Sequence, residues 1–352
     1  MHYESAIIER ESNINMKYNL LGKTNLKVSE VGLGCLTMGF EQLGLSPEEG
    51  SKIILHAVKR GINFLDTAQY YDTYKYMLPA LIAIRDSQDS SQNHTCSQPR
   101  LPFPIISSRS LTSTYEGMVE AVQECLAALQ IEKVDIFGLH EVRGMEDFYA
   151  RSQAWRALQD MKKAGKVGYT CVTTHHQDVA LAMAEQADCD TVFALINKEG
   201  LGIRQGEGLG RAGSAEAMAA AIEKCAKAGK GVFTMKAFGG GNLIHRYTEC
   251  LDYAKNLPGN QCVMMGMGTV EEVDAAVAYF DGYLAPDYKP DTNKKSMRVD
   301  QSDCEGCGTC IQYCNSRAIA WNSEGLAEID PDKCVHCGYC APQCPVRAII
   351  FA

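Results

Sequence analysis

The strongest chemical pattern in the chain is eight cysteines crowded into the 41 positions from Cys304 to Cys344. They form two runs of one spacing, Cys304-x2-Cys307-x2-Cys310-x3-Cys314 and Cys334-x2-Cys337-x2-Cys340-x3-Cys344-Pro345. Three thiolates spaced this tightly let one loop wrap three corners of an iron–sulfur cubane, and the fourth cysteine of such a run ligates the other cluster. The spacing therefore predicts one [4Fe–4S] cluster on Cys304, Cys307, Cys310 and Cys344, and a second on Cys334, Cys337, Cys340 and Cys314. A pair of zinc sites is the alternative, but zinc ribbons pair separated Cys-x2-Cys hairpins rather than runs of four. The two copies start 30 residues apart and share more than cysteine. Cys307-Gly308 matches Cys337-Gly338, and Arg317-Ala318-Ile319 matches Arg347-Ala348-Ile349, so the tail reads as a duplicated half-module. Asn315 stands where the second copy has Pro345. A piece this small lacks the core to fold alone, so the clusters would supply most of its cross-links.

Four other groups, Asp66, Tyr71, Arg109 and His140, gain interest from the elements that carry them. Short β-rich runs alternate with amphipathic helical stretches through the first 280 residues. The runs are 28–34, 62–68, 104–110, 134–140, 167–173, 191–197, 231–237 and 262–268, with helical patterns at 46–60, 114–130 and 214–228. Eight strand–helix units in this length predict an α/β fold, a (β/α)8 TIM barrel. A doubly wound sheet would want Gly-x-Gly-x-x-Gly after its first strand, and none follows. Gly206, Gly208 and Gly210 sit after the sixth run and read as loop flexibility. Barrel chemistry lies at the C-terminal ends of strands. Asp66, Arg109 and His140 close the second, third and fourth runs, and Tyr71 follows Asp66 by five residues. Each alone is ordinary structure, a helix-capping aspartate or a core histidine; together they mark one mouth.

The remaining composition narrows the setting. A net charge of −9 disfavours nucleic acid and anionic membrane surfaces as partners. No apolar run reaches 18 residues, and the N-terminus lacks an apolar signal region, so no membrane span is expected. Eight further cysteines lie singly in the first 300 residues and read as reduced thiols of a cytoplasmic protein. The expected organisation is an N-terminal extension (1–16), the barrel (17–282), a linker (283–300) and a small α+β cluster domain (301–352).

Two resemblances sharpen this. Residues 297–352 resemble bacterial two-cluster ferredoxins. Ile62-Asn63-Phe64-Leu65-Asp66-Thr67-Ala68-Gln69-Tyr70-Tyr71 resembles the signature of aldo-keto reductases, and Val134–His140 that family's fourth strand with its active-site histidine. Tyr18–Gly34 is similar to its opening hairpin and first strand, and Met235–Leu243 to its phosphate-side loop after strand seven. The whole chain looks like the branch of that family with a C-terminal ferredoxin domain. The resemblance implies that Tyr71 donates a proton to a substrate carbonyl, His140 orients that carbonyl, and Asp66 with a lysine tunes the tyrosine. Arg109 stands in the lysine's place. Its planar fork could favour tyrosinate or clamp a substrate carboxylate. Asp72 also departs from the family, which usually has glycine directly behind the tyrosine, and 87–100 is an unusual Ser/Gln/Asp-rich insertion.

The resemblance further implies a nicotinamide cofactor. Lys236 with Gly239, Gly240 and Gly241 suits a pyrophosphate cradle, because N–H groups approach an anion only where side chains are absent; a plain glycine turn is the other reading. Thr173 and Thr174 stand where the family places a pair near the carboxamide. Thr269-Val270-Glu271-Glu272 offers acid and no arginine, which disfavours a 2′-phosphate and points to NAD(H) over NADP(H). Hydride transfer needs no clusters, and splitting a hydride into single electrons normally takes a flavin or radical-capable intermediary. No flavin motif is present, and a flavin stays open. Three functions compete: an iron–sulfur oxidoreductase reducing a polarised bond of a small molecule with electrons from nicotinamide or through the clusters, a carbonyl reductase whose clusters serve structure or docking, and a non-enzymatic electron carrier with a degenerate barrel. A redox partner such as ferredoxin fits the first and third.

Overall fold

The structure is a computed structural model that describes residues 16–40, 42–89, 100–208, 210–293 and 295–352. The expected extension, apart from Met16, lies outside these residues, as do Cys96 and most of the 87–100 insertion.

Eight parallel strands close into a barrel in strict chain order: β1 (Val31–Gly34), β2 (Phe64–Asp66), β3 (Ile105–Ser110), β4 (Val134–Leu139), β5 (Val167–Thr174), β6 (Thr191–Leu195), β7 (Gly231–Met235) and β8 (Cys262–Gly266). Each is followed by helix on the outside, and the helix starts obey local chemistry. Ser46 caps Pro47–Lys59 with a reciprocal bond to Glu49, and Thr114, Ser214 and Thr269 cap Tyr115–Leu129, Ala215–Lys227 and Val270–Phe280. Inside, Phe64, Phe193 and Phe233 pack ring on ring, with Phe193 and Phe233 stacked at 4.3 Å between centroids. Buried among them, the Cys171 thiol is pushed up to about 12, the behaviour of a packed, unreactive thiol.

The run expected as a first strand at 28–34 is two strands. Lys27–Ser29 pairs antiparallel with Tyr18–Leu20 in a hairpin, and only Val31–Gly34 enters the barrel. Leu21 and Val28 of that hairpin join the Phe64–Phe193–Phe233 cluster and plug the N-terminal end. The other end is left for chemistry.

That end is covered by the small C-terminal module. Its strands are β9 (Met297–Val299), β10 (Ile319–Trp321), β11 (Ala327–Ile329) and β12 (Ile349–Phe351). β9 pairs antiparallel with β12 and β10 with β11, Met297 facing Phe351 and Ile319 facing Ile329. Among the described residues no helix is long and apolar enough to cross a membrane.

Candidate active site and cluster module

Asp66, Arg109, Tyr71 and His140 come together as the strand ends predict. Arg109, near the end of β3, donates from one terminal nitrogen to Asp66 Oδ1 at 2.6 Å and to the Thr67 carbonyl at 3.0 Å. Its other terminal nitrogen donates to the Tyr71 hydroxyl at 2.9 Å. The guanidinium carbon also lies 5.2 Å from the Tyr71 ring centre and 5.1 Å from that of Phe193, within cation–π range. Three of the five guanidinium N–H groups are thus spent on protein, and Nε is buried without a partner. This geometry supports the tuning role for Arg109, since both terminal nitrogens are already engaged by Asp66, Thr67 and Tyr71.

The tyrosine is placed by a short turn, Gln69–Tyr71, whose flanks are tied by a 2.5 Å bond between the Thr67 and Thr73 hydroxyls. Asp72 behind it takes a left-handed backbone (φ 51°), which explains why glycine is usual there in the family the sequence resembles. Tyr71 Oη lies 3.3 Å from His140 Nε2, with the rings edge-on. Burial pushes the Tyr71 phenol up, and the Arg109 charge draws it back. Burial likewise pushes the Asp66 carboxyl up, and the Arg109 charge and bond draw it back. His140 is held well below the usual imidazole range, first by burial and then by the Arg109 and Arg151 charges, so it is neutral.

Sequence reasoning missed Arg151, a buried side chain that donates to the His140 carbonyl at 2.8 Å and the Ser110 carbonyl at 2.9 Å, pinning the ends of β3 and β4. It lies in a turn between helices, and no spacing marks it. Thr173 and Thr174 are engaged with backbone: Thr173 Oγ1 accepts from Glu141 N–H at 2.8 Å and Thr174 Oγ1 donates to the Val142 carbonyl at 2.7 Å. Both brace the loop behind His140.

Lys236 and the glycine run meet the C-terminal module. Lys236 Nζ bonds Asp303 Oδ2 at 2.7 Å, and the Gly240 carbonyl accepts from Phe351 N–H at 2.9 Å. The expected pyrophosphate cradle thus faces a carboxylate and a strand of the protein itself. The mouth is strapped elsewhere too: Lys295 pairs with Glu272 at 2.8 Å, Arg298 donates to the Gln42 carbonyl, Arg143 to Glu305, and Arg204 to the Pro345 carbonyl. A cavity of about 200 Å³ remains, lined by Asp66, Tyr71 and Arg109 at its base and by Met235, Ile350 and Phe351 above.

In the module the eight clustered cysteines fall into two sets. Cys314, Cys334, Cys337 and Cys340 line one small cavity together. Burial, and then the nearby Cys344, Cys304, Cys307 and Cys340, push the Cys310 thiol up to about 11. The first of these sets is one of the two crossed sets expected from the spacing. Arg317 and Arg347 each take a left-handed backbone (φ 53° and 60°). That conformation turns the next N–H back, so Ala318 donates to Cys314 Sγ and Ala348 to Cys344 Sγ, each at 3.2 Å. N–H donors on sulfur suit anionic cluster ligands and tune their potential. The donor set fits two cubanes.

With that geometry in place, comparison with known proteins is direct. The sequence model of the aldo/keto reductase family matches residues 30–249, and that of a 4Fe-4S dicluster domain matches 297–351. An uncharacterized oxidoreductase of Bacillus subtilis, YqkF, is 42% identical over 198 residues, covering 52% of this chain and 58% of the relative. L-galactose dehydrogenase of Arabidopsis thaliana is 25% identical over 181 residues, covering 50% and 54%. The chain thus spans only a little over half the length of these curated relatives. Among solved structures, aldo-keto reductase AKR11C1 of Bacillus halodurans superposes with a TM-score of 0.56 at 15% identity, covering 80% of this chain and all of that one (100%), a likeness of fold.

Proposed function

This chain belongs to the aldo/keto reductase family, and on that premise we propose that its barrel site reduces a carbonyl, or a similarly polarised bond, of a small molecule, with Tyr71 as proton donor and electrons entering through the C-terminal module. The observation that carries this is the fork of Arg109, which holds Asp66 and Tyr71 at once. A phenol of ordinary pKa near 10 is a poor acid at neutral pH. Arg109 stabilises the phenolate left behind after transfer, and Asp66 fixes the guanidinium rather than the tyrosine. Because Arg109 donates into the Tyr71 oxygen, the phenolic hydrogen is free to turn toward the cavity. Neutral His140 holds the substrate oxygen near Tyr71 without competing for the proton.

Reducing a carbonyl to an alcohol takes two electrons and two protons: Tyr71 gives one proton to oxygen, and water supplies the other. When bound, the two clusters each carry one electron at a time, so a single-electron protein donor of the ferredoxin class is the matching partner. The test is turnover of a panel of small aldehydes and ketones by anaerobic, chemically reduced protein. Tyr71→Phe should lower turnover on the order of 10²–10⁴-fold with iron content unchanged. Equal turnover in that variant would move the chemistry away from this site.

A further inference from the structure

We propose that the C-terminal strand β12, with Asp303, occupies the phosphate subsite of the barrel, so that the docked cluster module excludes a nicotinamide dinucleotide from the site it serves. The inference rests on the placement of residues and not on which bond is reduced.

Lys236 is the cation that would meet a pyrophosphate. Its ammonium is instead held by Asp303 at 2.7 Å, with both side chains mostly buried. A phosphate arriving there gains no free positive charge and meets a carboxylate first, a like-charge contact that costs more as water is excluded. The glycine run offers no better reception. Gly239, Gly240 and Gly241 all take left-handed backbone (φ 56°, 68° and 85°), and the room left by their missing side chains is already filled. A Cβ on Gly240 would stand 3.0 Å from Ile350 Cγ2, and one on Gly241 would collide with the Phe351 carbonyl. The glycines let backbone approach closely, and the backbone they admit is the chain's own last strand.

The contact is specific along its length. Phe351 N–H donates to the Gly240 carbonyl at 2.9 Å, and Asn242 Nδ2 donates to the Ile349 carbonyl at 3.0 Å and the Gly239 carbonyl at 2.8 Å. The strand cannot swing away alone. It is paired with β9, and Ser296 and Ala352 exchange backbone bonds at 2.8 and 3.1 Å beyond the last rung. Cys344, a cluster ligand, lies only five residues ahead of Ile349, so vacating the groove means moving the module. What stays open is a cavity of about 200 Å³ that reaches from Tyr71 and Arg109 up to Lys236, Gly240 and Phe351. That is smaller than the roughly 300–1,000 Å³ typical of sites for drug-sized ligands, and suits a small substrate rather than a dinucleotide.

The test uses the full chain, purified anaerobically with both clusters, and two measurements. Equilibrium dialysis against NADH and NADPH, up to concentrations on the order of 1 mM, should show no saturable binding. Hydrogen exchange should show the Phe351 amide protected, at a level that added dinucleotide leaves unchanged. Saturable binding in the micromolar range that Lys236→Ala weakens would overturn the proposal. So would an unprotected Phe351 amide, because the strand would then not be the group that fills the subsite. Neither readout needs turnover, so failure here is distinguishable from failure of the reductase reading.

Discussion

Around Tyr71 the framework is packed protein: Asp66 and Arg109 are buried, both terminal nitrogens of the guanidinium bond protein, and the side chains ride on strands locked in a closed eight-stranded ring. Around the clustered cysteines there is little protein to spare. The buried core of the module is short, a few aliphatic side chains such as Met297, Ile319 and Ile349 with Cys310, Cys340 and Cys344 among them, while Cys307 and Cys337 are exposed. One region is preorganised by packing, and the other would draw its cross-links from the clusters it holds. A barrel can therefore hold a tuned tyrosine indefinitely, whereas the module's fold, and with it the strand across the barrel mouth, is conditional on cluster assembly.

The sharpest way to separate the two regions is to remove one ligand. Cys314→Ser should abolish the cluster held by Cys334, Cys337 and Cys340, taking about half the iron and leaving barrel unfolding unchanged. Iron analysis and electron paramagnetic resonance check this. Loss of the Cys304–Cys310 cluster instead would reverse the crossed assignment.

The barrel breaks differently. Arg109→Met strands the buried Asp66 charge and should cost about 3–5 kcal/mol of barrel stability, read by denaturant unfolding, with both clusters still formed. Arg109→Lys keeps a cation against Asp66 and Tyr71 and should retain most of the activity. If lysine instead raised KM sharply at constant kcat, arginine would be binding substrate.

Acid should also find the barrel first. His140 is held well below the ordinary range and His175 is lowered to about 3, both mainly by burial. Unfolding lets each bind a proton that the folded state refuses. Stability is then full above the ordinary histidine value of 6.5 and falls as pH drops below it. The slope approaches about 1.4 kcal/mol per pH unit for each histidine until its folded pKa is reached. Thermal melts at stepped pH check the sign; stability rising toward acid would contradict it.

The same contrast explains what could be read from sequence. The cysteine spacing repeats in one dimension, so the 4Fe-4S dicluster domain over 297–351 was legible. Barrel strands announce themselves by apolar runs, and Asp66, Arg109 and His140 follow from being at their ends. The run 28–34 misled because a hairpin strand abuts a barrel strand with only Glu30 between Ser29 and Val31, too short a break to separate two strands by pattern. For Arg109, residue type left two roles open, and only the direction of both prongs decides between them. Gly239–Gly241 signal a close backbone approach without naming the visitor. The visitor is Phe351, 110 positions after Gly241, and no local pattern links the two. Arg151 was silent for the same reason, since its acceptors are carbonyls.

The proposed route brings electrons to the substrate beside Tyr71 through the clusters. Single-turnover reduction tests it most directly: protein reduced anaerobically, freed of excess reductant and mixed with a turned-over carbonyl compound, with no nicotinamide present. Cluster absorbance should recover as product forms, at two electrons per product, and Tyr71→Phe should slow both together. Product that appears only when NADH or NADPH is added, with the cluster spectrum unmoved, would contradict it.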